Sequence, residues 1–113
     1  MELLTPDHIQ IFRERFPLRS QEGRGETALI VLKLFHPMSR YTLYVTEASE
    51  DAETGDWTLF GYAISPWGPD CDEWGYSSLN ELKEVQVNGL RVERDIAFPI
   101  AQKQLKDVLP LHR

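Results

Sequence analysis

The feature that most constrains the fold is an almost wholly apolar run from Ala28 to Phe35. The run is rich in branched residues and shows no polar alternation, which is typical of a strand buried on both faces. Lys33 is its only charged residue. We expect this lysine either to join a polar cluster or to extend its ammonium group to the surface. The longest unbroken apolar part, Ala28 to Leu32, is far too short to cross a bilayer, so no membrane contact is expected.

The segments before and just after this run predict a helix and two further strands. Thr5-Pro6 is a typical helix start, and apolar residues at helical spacing predict an amphipathic helix over residues 6–16. Residues 40–47 alternate between two faces, and residues 57–65 form a third strand candidate. The connection over residues 48–56 is a plausible hairpin loop, which indicates an antiparallel meander.

The C-terminal half predicts two more helices and one more strand. Ser78 to Glu81 has the form of a capping box, which predicts a short helix behind it. Asn88-Gly89 is a strong turn signal, residues 90–98 follow as a strand, and Pro99 opens the last helix. We therefore predict one α+β domain over residues 1–113, with a small, mainly antiparallel sheet packed in layers with short helices.

The sequence lacks the usual catalytic and metal-binding patterns. Cys71 is flanked by three carboxylates, which disfavour the reactive thiolate. His8, His36 and His112 lie far apart, and none has a second histidine or cysteine at zinc-ligand spacing. We therefore expect no enzyme activity, no metal and no cofactor. A single cysteine and an N-terminus without a signal-peptide pattern favour a cytoplasmic protein.

The negative charge is concentrated in one stretch. The chain has a net charge of −6, but residues 47–84 contain ten acids and a single base, Lys83. Such a stretch repels phosphates and attracts a basic protein, so direct nucleic-acid binding is not expected. The predicted binding residues are the acids of its two loops: Glu50, Asp51, Glu53, Asp56, Asp70 and Asp72. A solvated face that only aids solubility is the alternative interpretation.

A second set of residues predicts a polar cluster. Alternation in the strand over residues 90–98 places Arg94 among core residues, where a guanidinium needs a carboxylate partner. Glu47 and Glu73 are the candidates, and Lys33 is a further member. Trp74 and Tyr76 would wall any pocket at this cluster. A buried structural ion pair is one interpretation, and a small-molecule or catalytic pocket that also uses Asp95 is the other.

Five blocks of the sequence resemble a known bacterial family. They lie within residues 33–98, and the more specific two contain Trp74-Gly75-Tyr76 and Val92-Glu93-Arg94-Asp95. The chain resembles the domain of unknown function 2958 family, whose members are small proteins often carried on plasmids, phages and other mobile elements. The resemblance implies that genetic setting and assigns no activity or catalytic residue. Trp67 to Asp72 and the N-terminal helix depart from the pattern.

Three functions remain open on the sequence. The first is a non-catalytic, acidic protein-binding module that engages a basic partner, in keeping with the accessory or counter-defence role that the mobile-element resemblance allows. The second is a small-molecule binder or enzyme built on Glu47, Glu73, Arg94 and Asp95. The third is homo-oligomerisation through an exposed sheet edge or an aromatic patch.

Overall fold

A five-stranded antiparallel sheet forms the centre of the molecule. A computed structural model describes residues 1–112. The strands of the sheet are β2 (Leu32–Phe35), β3 (Thr42–Glu50), β4 (Trp57–Ile64), β5 (Glu73–Ser78) and β8 (Glu93–Arg94). Their order in the sheet is β5-β4-β3-β2-β8, and every neighbouring pair is antiparallel. Two small ribbons add the pairs β1 (Leu29–Ile30) with β9 (Lys103–Gln104) and β6 (Gln86–Val87) with β7 (Leu90–Arg91).

Three short helices complete the α+β fold that the sequence predicts. They are α1 (Pro6–Glu14), α2 (Leu79–Glu84) and α3 (Leu105–Val108). Thr5 caps α1 by accepting a hydrogen bond from the His8 N–H, and Ser78 caps α2 by accepting one from Glu81. Within residues 1–112 no helix is long and apolar enough to span a membrane.

The two faces of the sheet carry separate cores because alternate residues of a strand point to opposite faces. Leu43 and Val45 pack with Phe12 of α1 and with α2 in the larger core. Tyr44 and Ile64 point the other way and pack with Leu105, Val108 and Leu109 of the C-terminal segment. The hydroxyl of Tyr44 also lies 2.6 Å from Nε2 of His112, which ties this segment to the sheet.

A bulge bends the pairing of the two longest strands. The register of β3 and β4 shifts between Val45 and Glu47. Close to this shift Gly61 of β4 lies so near β3 that a Cβ atom on it would stand 2.0 Å from the Tyr44 carbonyl oxygen. The bulge turns the end of β3 towards the preceding loop, where the Ala48 N–H donates to the Phe16 carbonyl.

Two predicted elements are wrong in the C-terminal half. The strand over residues 90–98 is two pieces of two residues followed by turns, and Leu90 and Ile96 are exposed. The helix predicted from Pro99 begins only at Leu105. In the first half, the apolar run divides at Val31 into β1 and β2, because its two parts pair with different strands.

Candidate functional site

Four aromatic side chains form a continuous row on one face of β4 and β5. Phe60 lies opposite Tyr76, and Tyr62 lies opposite Trp74, so all four share a face. Ring centroids are 4.8 Å apart for Phe60 and Tyr76, and 5.5 Å apart for both Phe60–Trp74 and Tyr62–Trp74. Tyr62 and Trp74 pack against the second core, whereas Tyr76 is 67% exposed. We call these four residues the aromatic row.

A groove of about 350 Å³ lies beside the aromatic row. Phe60, Trp74 and Tyr76 line one side of it, and the loop of residues 19–25 lines the other. Thr46 and Glu47, at the bulge of β3, line it between these two walls. We call this the aromatic groove. It is partly open to solvent.

The loop wall of the groove is held in place by Glu47. Its carboxylate is 4% exposed and accepts the N–H groups of Arg19 at 2.7 Å and Gln21 at 2.8 Å. The first of these bonds helps to hold Arg19 in a left-handed conformation, with φ of 79°. The Gln21 side chain is buried and donates to the carbonyls of Leu29 at 2.7 Å and Thr46 at 2.8 Å. The groove is therefore preformed, which lowers the cost of ordering it on binding.

The predicted ion pair between Arg94 and Glu47 or Glu73 is wrong. Glu47 is buried, but its partners are backbone N–H groups. Arg94 is only partly buried and donates to the Glu2 carbonyl, because the short β8 brings it to the N-terminus at the far edge of the sheet. Glu73 is exposed at the start of β5, and the structure brings it to neither residue.

The six predicted acidic residues lie at opposite ends of β4. Glu50, Asp51, Glu53 and Asp56 belong to the end of β3 and the turn before β4, whereas Asp70 and Asp72 belong to the turn between β4 and β5. At about 3.3 Å per residue, an eight-residue strand separates the two turns by roughly 25 Å. The prediction of one continuous acidic patch is therefore wrong. We call residues 51–56 and 65–72 the two acidic turns.

Three of the six acids are engaged within the fold. Asp72 forms a bidentate pair with Arg40 at 2.9 and 3.1 Å and accepts the Ser65 N–H, and its bond to Arg40 is the main cause that lowers the pKa of its carboxyl. Asp56 accepts the Ser78 hydroxyl, which is the main cause that lowers the pKa of Asp56. Glu50 pairs with Arg13 at 3.1 Å.

The other three acids are exposed at the tips of the acidic turns. Asp51 accepts the Glu53 N–H at 2.8 Å, which shapes its turn. The carboxylates of Glu53 and Asp70 make no hydrogen bond or ion pair with any other residue in the described part of the chain. In the same turn as Asp70, Trp67 is 86% exposed.

The family model described as a protein of unknown function (DUF2958) matches residues 3–109. The chain belongs to this family. The match confirms the resemblance and extends it beyond residues 33–98, so that both the N-terminal helix and Trp67 to Asp72 lie inside it. The sequence has no significant match among curated proteins or among solved structures.

Three residues of the polar cluster predicted for this DUF2958 protein, Lys33, Arg94 and Asp95, line a second groove of about 630 Å³. Lys33 reaches Asp95 at 3.4 Å and lies 5.8 Å from the centre of the Tyr44 ring, so it joins a polar cluster. Arg94 lines the same groove. Glu47 lines the aromatic groove instead, and Glu73 lines neither of the two. The convergence that the small-molecule or enzyme hypothesis requires does not occur.

Sequence reasoning missed several residues of the aromatic groove. The sequence predicts Phe60 only as part of the strand over residues 57–65, and it does not mark Gln21 as a groove residue. β5 is also missing from the predicted strands, and the alternation of large and small residues over Trp74, Gly75, Tyr76 and Ser77 was the available signal for it.

Within residues 1–112 no group of three or more histidine, cysteine or acidic side chains is arranged to hold a metal ion.

Proposed function

We propose that this DUF2958 protein is a non-catalytic binding module that holds an extended, basic segment of a partner protein along the aromatic row. The observation that carries the proposal is the position of the aromatic row between the two acidic turns. β4 and β5 provide the rings, one acidic turn precedes β4, and the other joins β4 to β5.

Charge complementarity identifies the chemistry of the partner. The groove is lined by two carboxylates, Glu22 and Glu47, and by one guanidinium, that of Arg19. Glu53 and Asp70 add uncompensated charge at the two ends. Lysine or arginine side chains would meet the carboxylates of Glu22, Glu53 and Asp70, since Glu47 is buried and occupied by N–H groups. Their cations also favour the faces of aromatic rings. A protein whose basic surface normally meets nucleic acid would carry such a segment, which is compatible with the mobile-element setting that the family resemblance implies.

Exposed aromatic rings supply the contact area that charge alone does not. Rim charges typically add only a fraction of a kcal/mol each, whereas tryptophan and tyrosine are frequent hot spots in interfaces. Tyr76 and Trp67 are 67% and 86% exposed, so both rings are accessible to a ligand. Aliphatic side chains of a bound segment would cover these rings between its cationic ends.

Titration of the isotope-labelled full chain with two peptides tests the proposal by nuclear magnetic resonance. The probe is Lys-Thr-Val-Thr-Val-Thr-Lys, and the control is Glu-Thr-Val-Thr-Val-Thr-Glu. We expect the lysine peptide alone to bind, to shift chiefly the amide signals of β4 and β5, and to bind more weakly as salt is added. Shifts elsewhere on the surface, or equal binding of both peptides, would contradict the proposal.

Matched variants separate the acidic turns from net charge. E53Q/D70N removes one free carboxylate from each acidic turn, and D7N/E14Q removes two exposed carboxylates from α1. Both variants change the net charge equally. We expect E53Q/D70N to weaken binding of the lysine peptide by roughly threefold to tenfold and D7N/E14Q to change it little. Equal weakening by the two variants would count against a located site.

A further inference from the structure

β5 is an open edge of the central sheet. It pairs with β4 on one side, and in the described part of the chain no other segment forms backbone hydrogen bonds with residues 73–77. An edge strand directs alternate N–H and C=O groups outwards, where they can pair with another chain. The opposite edge, β8, is only two residues long and leads into a turn, so it offers little to pair with.

β5 also lacks the features that usually protect an edge. Its sequence from Glu73 to Ser78 contains no proline and no lysine, and its register with β4 runs without a bulge over six residue pairs. Gly75 stands in the middle of the strand, and a Cβ atom placed on it would have no neighbour within 4 Å. A second strand would therefore meet an unbulged backbone, with open space on the face of the sheet at Gly75.

We infer that the basic segment binds as a sixth strand of the sheet, paired with the outer edge of β5. This inference rests on the proposed function and specifies how the ligand is held. Alternate side chains of the added strand would extend the aromatic row beyond Trp74 and Tyr76, and the others would lie on the opposite face beside Gly75. Its two ends would lie close to the two acidic turns, which identifies the occupant as a chain with cations at both ends.

A series of backbone-methylated peptides tests this mode of binding. In the Lys-Thr-Val-Thr-Val-Thr-Lys probe, each residue in turn receives a methyl group on its backbone nitrogen, which removes one donor and leaves every side chain unchanged. In a paired strand only alternate N–H groups face β5. We therefore expect methylation to weaken binding by roughly tenfold or more at alternate positions and to have little effect at the positions between them.

The outcomes distinguish this inference from the proposed function. If the unmodified peptide binds along the aromatic row and no methylated position weakens it, strand addition is wrong and the proposed function stands. If the unmodified peptide does not bind, both are wrong.

A further measurement tests whether β5 is free before any ligand arrives. We expect the outward amides of β5 to exchange quickly with solvent in the free protein and slowly once the peptide is bound. Slow exchange in the free protein together with a dimeric mass by light scattering would show that a second copy occupies the edge, and would overturn the inference.

Discussion

Gly61 provides the sharpest test of the sheet geometry beneath the aromatic row. A Cβ atom at this position would stand 2.0 Å from the carbonyl oxygen of Tyr44 and 2.8 Å from its carbonyl carbon, where ordinary contact begins at 3.4 Å. To accept Gly61→Ala, β3 and β4 would have to separate by more than an ångström beside the bulge. The obstacle is the backbone of a paired strand, which cannot rotate away as a side chain can.

The expected loss of stability follows from this overlap. Overpacking in a core destabilises a protein by about 1–3 kcal/mol. Because the obstacle is rigid backbone, we expect Gly61→Ala to lose stability at the upper end of this range, about 3 kcal/mol. For a chain of this length each kcal/mol lowers Tm by about 4 °C, so we expect a decrease of about 12 °C in thermal unfolding.

Gly75→Ala is the matched control because Gly75 lies directly opposite Gly61 on β5. A Cβ atom there meets nothing within 4 Å, and the residue is not in the left-handed region. We expect it to be neutral or stabilising by about 0.4–1 kcal/mol, since alanine restricts the unfolded chain. A Gly61→Ala protein as stable as the natural one, or equal losses in both variants, would refute the described pairing of β3 with β4.

Two further predictions concern buried carboxylates. Glu47→Gln places an NH₂ group against the N–H of Arg19 or Gln21. We therefore expect the free energy of unfolding in urea to fall by about 1–3 kcal/mol. An unchanged urea midpoint would contradict the role of Glu47 in holding the loop of residues 19–25. The pKa of Asp72 is lower in the folded chain than its ordinary value of 3.8, so ionised Asp72 stabilises the fold above that pH, and the stabilisation is lost as the pH falls through the folded pKa. The difference in unfolding free energy between the natural protein and Asp72→Asn should therefore shrink as the pH falls below about 4; a difference that does not shrink there would contradict this.

Elements with strong local signals could be predicted from the sequence. The start of α1 follows from Thr5-Pro6, and the start of α2 follows from Ser78, since both depend on hydrogen bonds within one turn. The hairpin of β3 and β4 follows from alternation on both sides of a polar turn. The element types are right there, although β3 continues three residues past its predicted end because residues 48–50 still pair with β4.

The alternating pattern of residues 90–98 could not show whether this segment forms a strand. Leu90, Val92 and Ile96 alternate as a buried strand would, but only Val92 is buried. The residues between them find other partners: the Arg91 side chain donates to the Lys83 carbonyl, and the Asp95 N–H donates to the Lys33 carbonyl. Alternation reports a possible face, whereas tertiary pairing decides whether a strand forms.

Part of the candidate site could not be predicted from the sequence. The charge count locates the acids along the chain but cannot place them in space, because β4 carries the two acidic turns to opposite ends of the sheet. Nor did Arg40 stand out as the partner of Asp72, from which it is separated by 32 residues along the chain. The sequence predicts an ion pair for Glu47, but its carboxylate accepts backbone N–H groups instead. No sequence pattern indicates such contacts.

The separation of the acidic turns limits the shape of any ligand that uses both. Charges in physiological salt are screened over about 8 Å, whereas the turns are roughly 25 Å apart, so the two cannot act on a single compact cation. Each turn must meet its own cation. An extended chain advances about 3.3 Å per residue, so seven or eight residues, with long side chains at the ends, cover the distance. The structure therefore favours a strand-like segment over a folded basic surface or a small molecule, and the open edge of β5 runs in the required direction between the same two turns.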